Sequence, residues 1–457
     1  MVFSSLVFLV LFLPAFLLSY YAIPGRFVRA KNCVLLVFSL LFYASGEPVW
    51  VVILVFSGLW DYFIGLFITR YRGKWQSKVL LMLSMCGNLG LLILFKYGAF
   101  FLSFTGADLN FAPMLPIGIS FYTFQTMSYT LDLYRGGVAP QRDPIAFLSY
   151  VAMFPQLVAG PIVRYADVED RLRSRRITAK AFSDGVTRFA FGLGKKVILA
   201  NHAGKIAAEL LGAGVADVST AGVWLGIVMF MFQIYFDFSG YSDMAIGLGK
   251  MIGFDFKENF DHPYVSKSIT EFWRRWHISL GSFFRDYVYI PMGGNRRRAV
   301  FNILFVWFLT GLWHGASFNF ILWGMYFGVF LLIEKYLLRS FLRKIPAFFS
   351  HVYSLLVILF GWGIFYFTDL GQLGMFAARF WGAGGVLSDH RTTELFFGNL
   401  WILVVFALFS TGIPARVARR LKTAVPVSEA VINACLLCFS FALLIGQSFN
   451  PFIYFRF

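Results

Sequence analysis

Residues 301–332 read FNILFVWFLTGLWHGASFNFILWGMYFGVFLL, a run with no Asp, Glu, Lys or Arg and a single histidine, His314. As a single helix it would be about 48 Å long, whereas the hydrocarbon core of a bilayer is about 30 Å thick. Gly311 and Gly315 flank the histidine and permit a break or a close backbone approach. The run therefore reads as two membrane segments, 299–313 and 316–334, meeting near His314.

The rest of the chain agrees. Of its 457 residues, 59% are apolar, 20% aromatic and only 14% charged, with a mean hydropathy of +0.70. A soluble domain carries about a quarter charged residues, so a soluble enzyme, a disordered chain and a disulfide-stapled mini-protein are excluded. Further apolar runs lie near 1–20, 33–45, 48–69, 79–103, 114–132, 182–202, 219–248, 348–368, 396–412 and 427–449. The expected fold is an all-α polytopic membrane protein with about 11–12 transmembrane helices. It forms one domain, 1–457, with an extracytoplasmic aromatic tail at 450–457.

The formal charge is +17. Its basic residues are scattered between apolar runs, which argues against nucleic acid as a partner and for the positive-inside rule. Segments 24–32, 70–78, 133–181, 249–298, 335–345 and 413–426 hold 32 of the 40 Lys and Arg residues. Placing these inside puts both termini outside. No Lys or Arg precedes Arg26, so the first run reads as a retained span rather than a cleaved signal. Cys33, Cys86, Cys435 and Cys438 all lie in apolar stretches and suggest no disulfide framework.

Two stretches interrupt the alternation. Residues 145–162, IAFLSYVAMFPQLVAGPI, are apolar but flanked by basic loops, and Pro155, Gly160 and Pro161 break any helix there. A re-entrant segment is expected. Residues 264–292 carry Ile269, Phe272, Trp276, Leu280, Phe283 and Tyr287 at helical spacing beside Arg274, Arg275, Arg285 and Asp286. This predicts one amphipathic helix at the cytoplasmic face.

His314 leads the candidates for chemistry, because an ionisable group at membrane depth is functional by default. A neutral imidazole suits a general base, although spacing alone equally allows a structural histidine bonded to a neighbouring helix. His277, in EFWRRWHISL, reads as a second polar group at the inner mouth of a cavity or, more simply, as part of an aromatic belt. Glu271 and Arg275 are spaced for an i,i+4 ion pair. Asp237 and Asp243, in YFDFSGYSDMAIG, lie about 120° apart around a helix. With no His or Cys at ligand spacing they read as ion-pair partners or polar lining, not metal ligands. Trp313, Asn319 and Gln156 are further cavity-lining candidates. Arg296, Arg297 and Arg298 offer a phosphate site, with a plain positive-inside run as the simpler alternative. In the C-terminal NPFIYFRF, Tyr454 either presents a phenol to the cavity or belongs to an interfacial aromatic belt.

FWRRWHISL, RDYVYIPMGGN and TGLWHGASFNFILWG together resemble the membrane-bound O-acyltransferases, within them the bacterial branch typified by alginate O-acetyltransferase. FPQLVAGPIVRY (154–165), PIGISFYTFQ (116–125) and FDFSGYSDMAIG (236–247) fit the same branch, so the likeness runs from about Leu94 to Gly324. The resemblance implies a shell of helices, with re-entrant and interfacial pieces, around a central cavity open to both membrane faces. It maps the family's catalytic histidine onto His314 and its second histidine onto His277. It makes Tyr454 a candidate acyl relay. It implies acetyl-CoA as the acyl-thioester donor substrate, with no bound cofactor. It also implies an envelope polysaccharide as acceptor, membrane lipid around the protein and a periplasmic acetyltransferase as partner. The competing expectations are transfer of D-alanine or another acyl unit to an envelope polymer, and a non-catalytic polymer or lipid transporter. The transporter would show inverted repeats, and none is visible.

Overall fold

The computed structural model describes residues 1–103, 115–158, 160–424 and 427–446. Every regular element among them is helical. Six helices are long and apolar enough to cross a membrane by length and composition: Val51–Arg70, Trp75–Tyr97, Thr220–Met251, Phe318–Lys344, Ala347–Tyr366 and Ser428–Gly446. The pair His390–Gly398 and Leu400–Phe409, bent by 57°, would make a seventh. Phe8–Tyr21 and Ala299–His314 are shorter apolar helices. The chain is a multi-pass, all-α membrane protein, as its composition requires. Large apolar side chains such as Leu11, Leu18, Val52 and Leu337 are exposed, which suits a surface solvated by lipid.

Some predicted runs depart from a plain span for a physical reason. Ile119–Arg135 has only 17 residues and buries Ser120, Thr123, Gln125, Thr126, Ser128 and Thr130. A helix with polar groups on several faces needs protein around it, not lipid.

The chain divides into two compact units, residues 1–193 with 241–258, and residues 194–240 with 259–457. In the first unit the expected re-entrant stretch is an interrupted helix. Pro144–Ala152 stops at Met153, and Phe154–Leu157 adds a single turn. Phe154 is the hub of an aromatic cluster, its ring centroid 5.4 Å from Phe12, 5.0 Å from Phe16 and 5.6 Å from Phe42. The backbone N–H freed at the break donates to Ser39 Oγ at 3.1 Å. A second device joins three helices. Asp61, fully buried on Val51–Arg70, accepts from Ser84 Oγ and from Asn88 Nδ2, each at 2.6 Å, while Thr126 Oγ1 donates to Asn88 Oδ1 at 3.0 Å. Sequence reading did not single out Asp61.

The second unit is built on the hairpin that contains His314. Ala299–His314 and Phe318–Ile333 are separate helices joined through residues 315–317, so the 32-residue run is broken next to His314. The two helices touch backbone to backbone. A Cβ on Gly311 would strike the Phe320 carbonyl, and one on Gly324 would strike the Trp307 carbonyl. Small residues at such crossings let membrane helices pack closely.

The stretch 264–292 corrects one expectation. It is not a single amphipathic helix but Ile269–Arg275 and Ile278–Phe284, separated at Trp276 and His277 and followed by Arg285–Tyr289. Trp276 is extended and His277 adopts φ 46°, ψ 53°. A left-handed non-glycine residue costs about 1–3 kcal/mol and persists only where its surroundings fix it.

Candidate active site

Asn259 is what fixes it. Its Oδ1 accepts the Ser279 backbone N–H at 3.1 Å and the Ser279 hydroxyl at 2.8 Å, and lies 3.2 Å from His277 Nδ1. Its carbonyl accepts the Ile278 N–H at 2.9 Å. An oxygen already identified as an acceptor leaves Nδ1 as donor, so the neutral ring carries its proton there and a lone pair on Nε2. Nε2 is buried with no hydrogen-bond partner among the described residues. The Phe238 ring packs edge-on at 4.7 Å. Burial pushes the His277 pKa down to about 3, because a cation would be stranded in apolar surroundings. His277 is therefore a neutral hydrogen-bond acceptor.

Trp313 brings the two histidines together. Its ring centroid is 5.8 Å from His277 and 4.9 Å from His314. His314 is half-buried at the last position of its helix, where the macrodipole favours positive charge. Trp323 and Phe365 pack edge-on against it at 4.9 and 5.2 Å. Asn319 supports this wall from behind. Its Nδ2 donates to the Ile364 and Phe365 carbonyls, each at 3.2 Å, which ties the hairpin tip to the end of Ala347–Tyr366.

A cavity of about 530 Å³ meets this centre at His277, with Trp273, Trp276, Trp307 and Thr310 on its walls and Arg285 also lining it; Trp313 and His314 are not among its lining residues. Thr310 is one helical turn before His314. A neighbouring cavity of about 650 Å³ shares Thr270, Arg274, Ile303 and Leu331 with the first. It gathers Lys267, Arg274, Lys335, Arg339 and Arg343 around one acid, Glu334. That carboxylate is already committed. It accepts the Ile269 N–H at 2.5 Å, the Thr270 N–H at 2.8 Å and the Thr270 hydroxyl at 2.6 Å. The cavity is left with a surplus of positive charge suited to phosphate.

The other candidates separate. Arg296, Arg297 and Arg298 are exposed and line neither cavity. The sequence offered them as a phosphate site or, more simply, as a positive-inside run; the basic cavity draws on Lys267, Arg274, Lys335, Arg339 and Arg343. Asp237 forms a buried ion pair with Lys196 at 2.8 Å in the second unit. Asp243 pairs with Arg188 at 2.6 Å in the first unit, and Arg188 also reaches Glu258 at 2.5 Å. Both Asp residues thus take the ion-pair role that their spacing suggested. Gln156 is fully buried in the first unit and donates to the Tyr150 carbonyl at 2.5 Å. The Glu271–Arg275 pair forms at 3.0 Å. All four cysteines are free. Tyr454 lies outside the described residues. Asn259 was missed by sequence reading; its only local signal is a polar residue in a loop 18 positions before the histidine that it orients.

Comparison with known proteins follows the same segments. The family described as membrane-bound O-acyltransferase matches residues 140–376, a stretch that holds both histidines and both cavities. A protein named as a probable alginate O-acetylase in Pseudomonas putida is 39% identical over the full length of both chains. A peptidoglycan O-acetyltransferase of Helicobacter pylori is 30% identical, covering 86% of this chain and 82% of its own. A teichoic acid D-alanyltransferase of Streptococcus thermophilus is 28% identical, covering 66% and 72%.

Proposed function

The chain belongs to the membrane-bound O-acyltransferase family and is an acyltransferase, and on that footing we propose that it O-acetylates a cell-envelope polysaccharide of the alginate type from the bacterial inner membrane. The donor is a cytoplasmic thioester, acetyl-CoA. Its phosphates meet Lys335, Arg339 and Arg343 in the basic cavity, and its acyl arm runs past Trp273 and Trp307 in the aromatic one. His277 accepts a hydrogen bond from an N–H or O–H of that arm through Nε2.

His314 is the general base. An acceptor hydroxyl attacks the thioester carbonyl carbon, forming a C–O bond as the C–S bond breaks. His314 takes the hydroxyl proton and returns it to the departing thiolate. The helix that ends at His314 has 16 residues, about 24 Å. Starting from the basic cytoplasmic side it stops short of the far face, so acyl transfer takes place at membrane depth. Tyr454 is the proposed first acceptor and relay. Handover to the polysaccharide outside involves a periplasmic acetyltransferase.

The observation that carries this reading is Trp313, in edge contact with both histidines, of which His277 lines the cavity. The test is purified protein in liposomes supplied with acetyl-labelled CoA. His314→Ala should insert normally yet lose transfer by about 10²–10⁴-fold, the usual worth of a positioned base. Undiminished transfer in that variant would contradict the assignment. The likeness to a D-alanyltransferase sets the second reading, D-alanyl transfer from a carrier protein. Turnover with D-alanyl carrier and none with acetyl-CoA would favour it. Tyr454→Phe tests the relay, and unchanged transfer to polymer would make the tail an anchor.

A further inference from the structure

The first unit buries two cations that form no ion pair with an acid among the described residues. Lys31 stands near the start of Val28–Ala44, and Arg175 follows the helix Tyr165–Arg173. They are only 5% and 7% exposed. The Lys31 ammonium lies 4.3 Å from the Tyr20 ring centroid and 5.2 Å from that of Tyr21. The Arg175 guanidinium lies 5.9 Å from the same Tyr20 ring and 4.7 Å from Phe254. The tyrosine hydroxyls donate to the Ile252 and Met251 carbonyls, and the Tyr20 oxygen also faces the Arg175 guanidinium. Arg175 Nη2 donates to Asn32 Oδ1 at 2.7 Å. Its Nε and Nη1 are buried with no partner among the described residues.

Three carboxylates on the adjoining segments pair with other cations. Asp255 pairs with Arg171 at 2.8 Å, Glu169 with Arg173 at 2.9 Å, and Asp167 with Lys257. Two like charges side by side, away from water, are costly without a counter-ion. Cation–π contacts return only about 0.5–2 kcal/mol each. An incoming anion would meet a point charge from Lys31 and unused N–H donors from Arg175, a combination that fits the oxygens of a phosphate.

Location selects the source. Both residues belong to segments that the distribution of basic residues assigns to the cytoplasmic side, the side on which anionic headgroups attract basic residues. Tyr21, beside Lys31, is 41% exposed, so the site lies just below the protein surface. We propose that Lys31 and Arg175 form an anion site for the phosphodiester of an anionic inner-leaflet lipid, separate from acyl transfer.

The test uses the full-length protein in neutral detergent. Dioctanoyl phosphatidylglycerol, dioctanoyl phosphatidylcholine and inorganic phosphate are titrated in turn. The thermal midpoint is followed, and bound lipid is counted by native mass spectrometry. Phosphatidylglycerol should raise the midpoint and bind one to one, and phosphatidylcholine should do so far less. Lys31→Gln should weaken phosphatidylglycerol binding roughly tenfold or more, the cost of losing one charged partner. Arg175→Lys, which keeps the charge but loses the fork, should weaken it as well. Should the Arg175 variant fail to fold, Lys31→Gln and the salt dependence of the wild type still decide. A full response to inorganic phosphate alone would support the anion site and assign it to free phosphate. Equal binding of both lipids, or no difference between wild type and Lys31→Gln, would overturn the proposal.

Discussion

Asn259 Oδ1 sets the tautomer of His277. It lies 3.2 Å from Nδ1 while accepting both the N–H and the hydroxyl of Ser279, which leaves the Nε2 lone pair as the group the ring can offer. One amide thus holds a left-handed residue, the start of Ile278–Phe284 and the protonation pattern of an imidazole beside a cavity.

Removing that amide should be felt twice. Asn259→Ala strands the Ser279 N–H and the His277 Nδ1–H in a buried site, at about 1–3 kcal/mol per unsatisfied group. It also frees the ring to turn, and support of this kind is typically worth about 10–100-fold. The thermal midpoint should fall and acetyl transfer should drop in that range. His277→Ala in the Asn259→Ala background should then cost little more. Full additivity of the two would show that Asn259 does not act through His277.

The hairpin tip depends on glycine. Gly324→Ala places a Cβ against the Trp307 carbonyl and 3.1 Å from Gly311 Cα, so two helices must separate. Overpacking of this kind costs about 1–3 kcal/mol. Because His314 sits at the end of the displaced helix, activity should fall further than stability predicts. Gly374→Ala, where a Cβ meets open space inside the helix Leu370–Phe380, is the matched control: activity should be unchanged and stability should rise by about 1 kcal/mol at most.

The two arginine groups make opposite predictions. If the donor phosphates lie among Lys335, Arg339 and Arg343, replacing Arg339 and Arg343 by Gln should raise KM for the thioester about tenfold or more per lost contact. kcat should change much less, since these side chains bind ground and transition states alike. Replacing Arg296 and Arg297 by Gln should leave KM unchanged. The reverse result would return the phosphate site to the exposed run.

His277 should also mark the acid limb of stability. Its ordinary pKa of 6.5 falls to about 3 in the fold. Below about pH 6.5 the unfolded chain takes up a proton that the folded one refuses, so stability declines as pH falls towards 3. The slope from this one group is at most about 1.4 kcal/mol per pH unit. Thermal midpoints between pH 7.5 and 5 should show the decline in wild type and a shallower one in His277→Gln, which has nothing to protonate. Parallel curves would mean that His277 takes up a proton without opposition from the fold.

What could be read from the chain was whatever depended on local sequence. The run 301–332 was too long and too apolar to be anything but two membrane segments, and the break lies where Gly315 follows His314. Asp237 and Asp243, too costly to leave unpaired near hydrocarbon, were legible as ion-pair partners, though Lys196 and Arg188 could not be named. Helical spacing from Ile269 to Tyr287 was present, yet it concealed the interruption at Trp276 and His277. Periodicity reports which residues would share a face. It carries no information about an amide 18 residues away that stabilises a left-handed turn.

The sequence by itself determined the solvent, the helical class and the histidine inside an apolar run, because each follows from hydropathy and chain geometry over a few turns. Only the tertiary structure decided that Trp313 contacts both His277 and His314, and that the basic cavity draws on 267–274 and 334–343 rather than on 296–298. It alone left Lys31 and Arg175 buried beside Tyr20 with no acid paired to them among the described residues. Those relationships depend on which side chains from distant segments reach one another, and on which charges are already neutralised. Packing alone sets both.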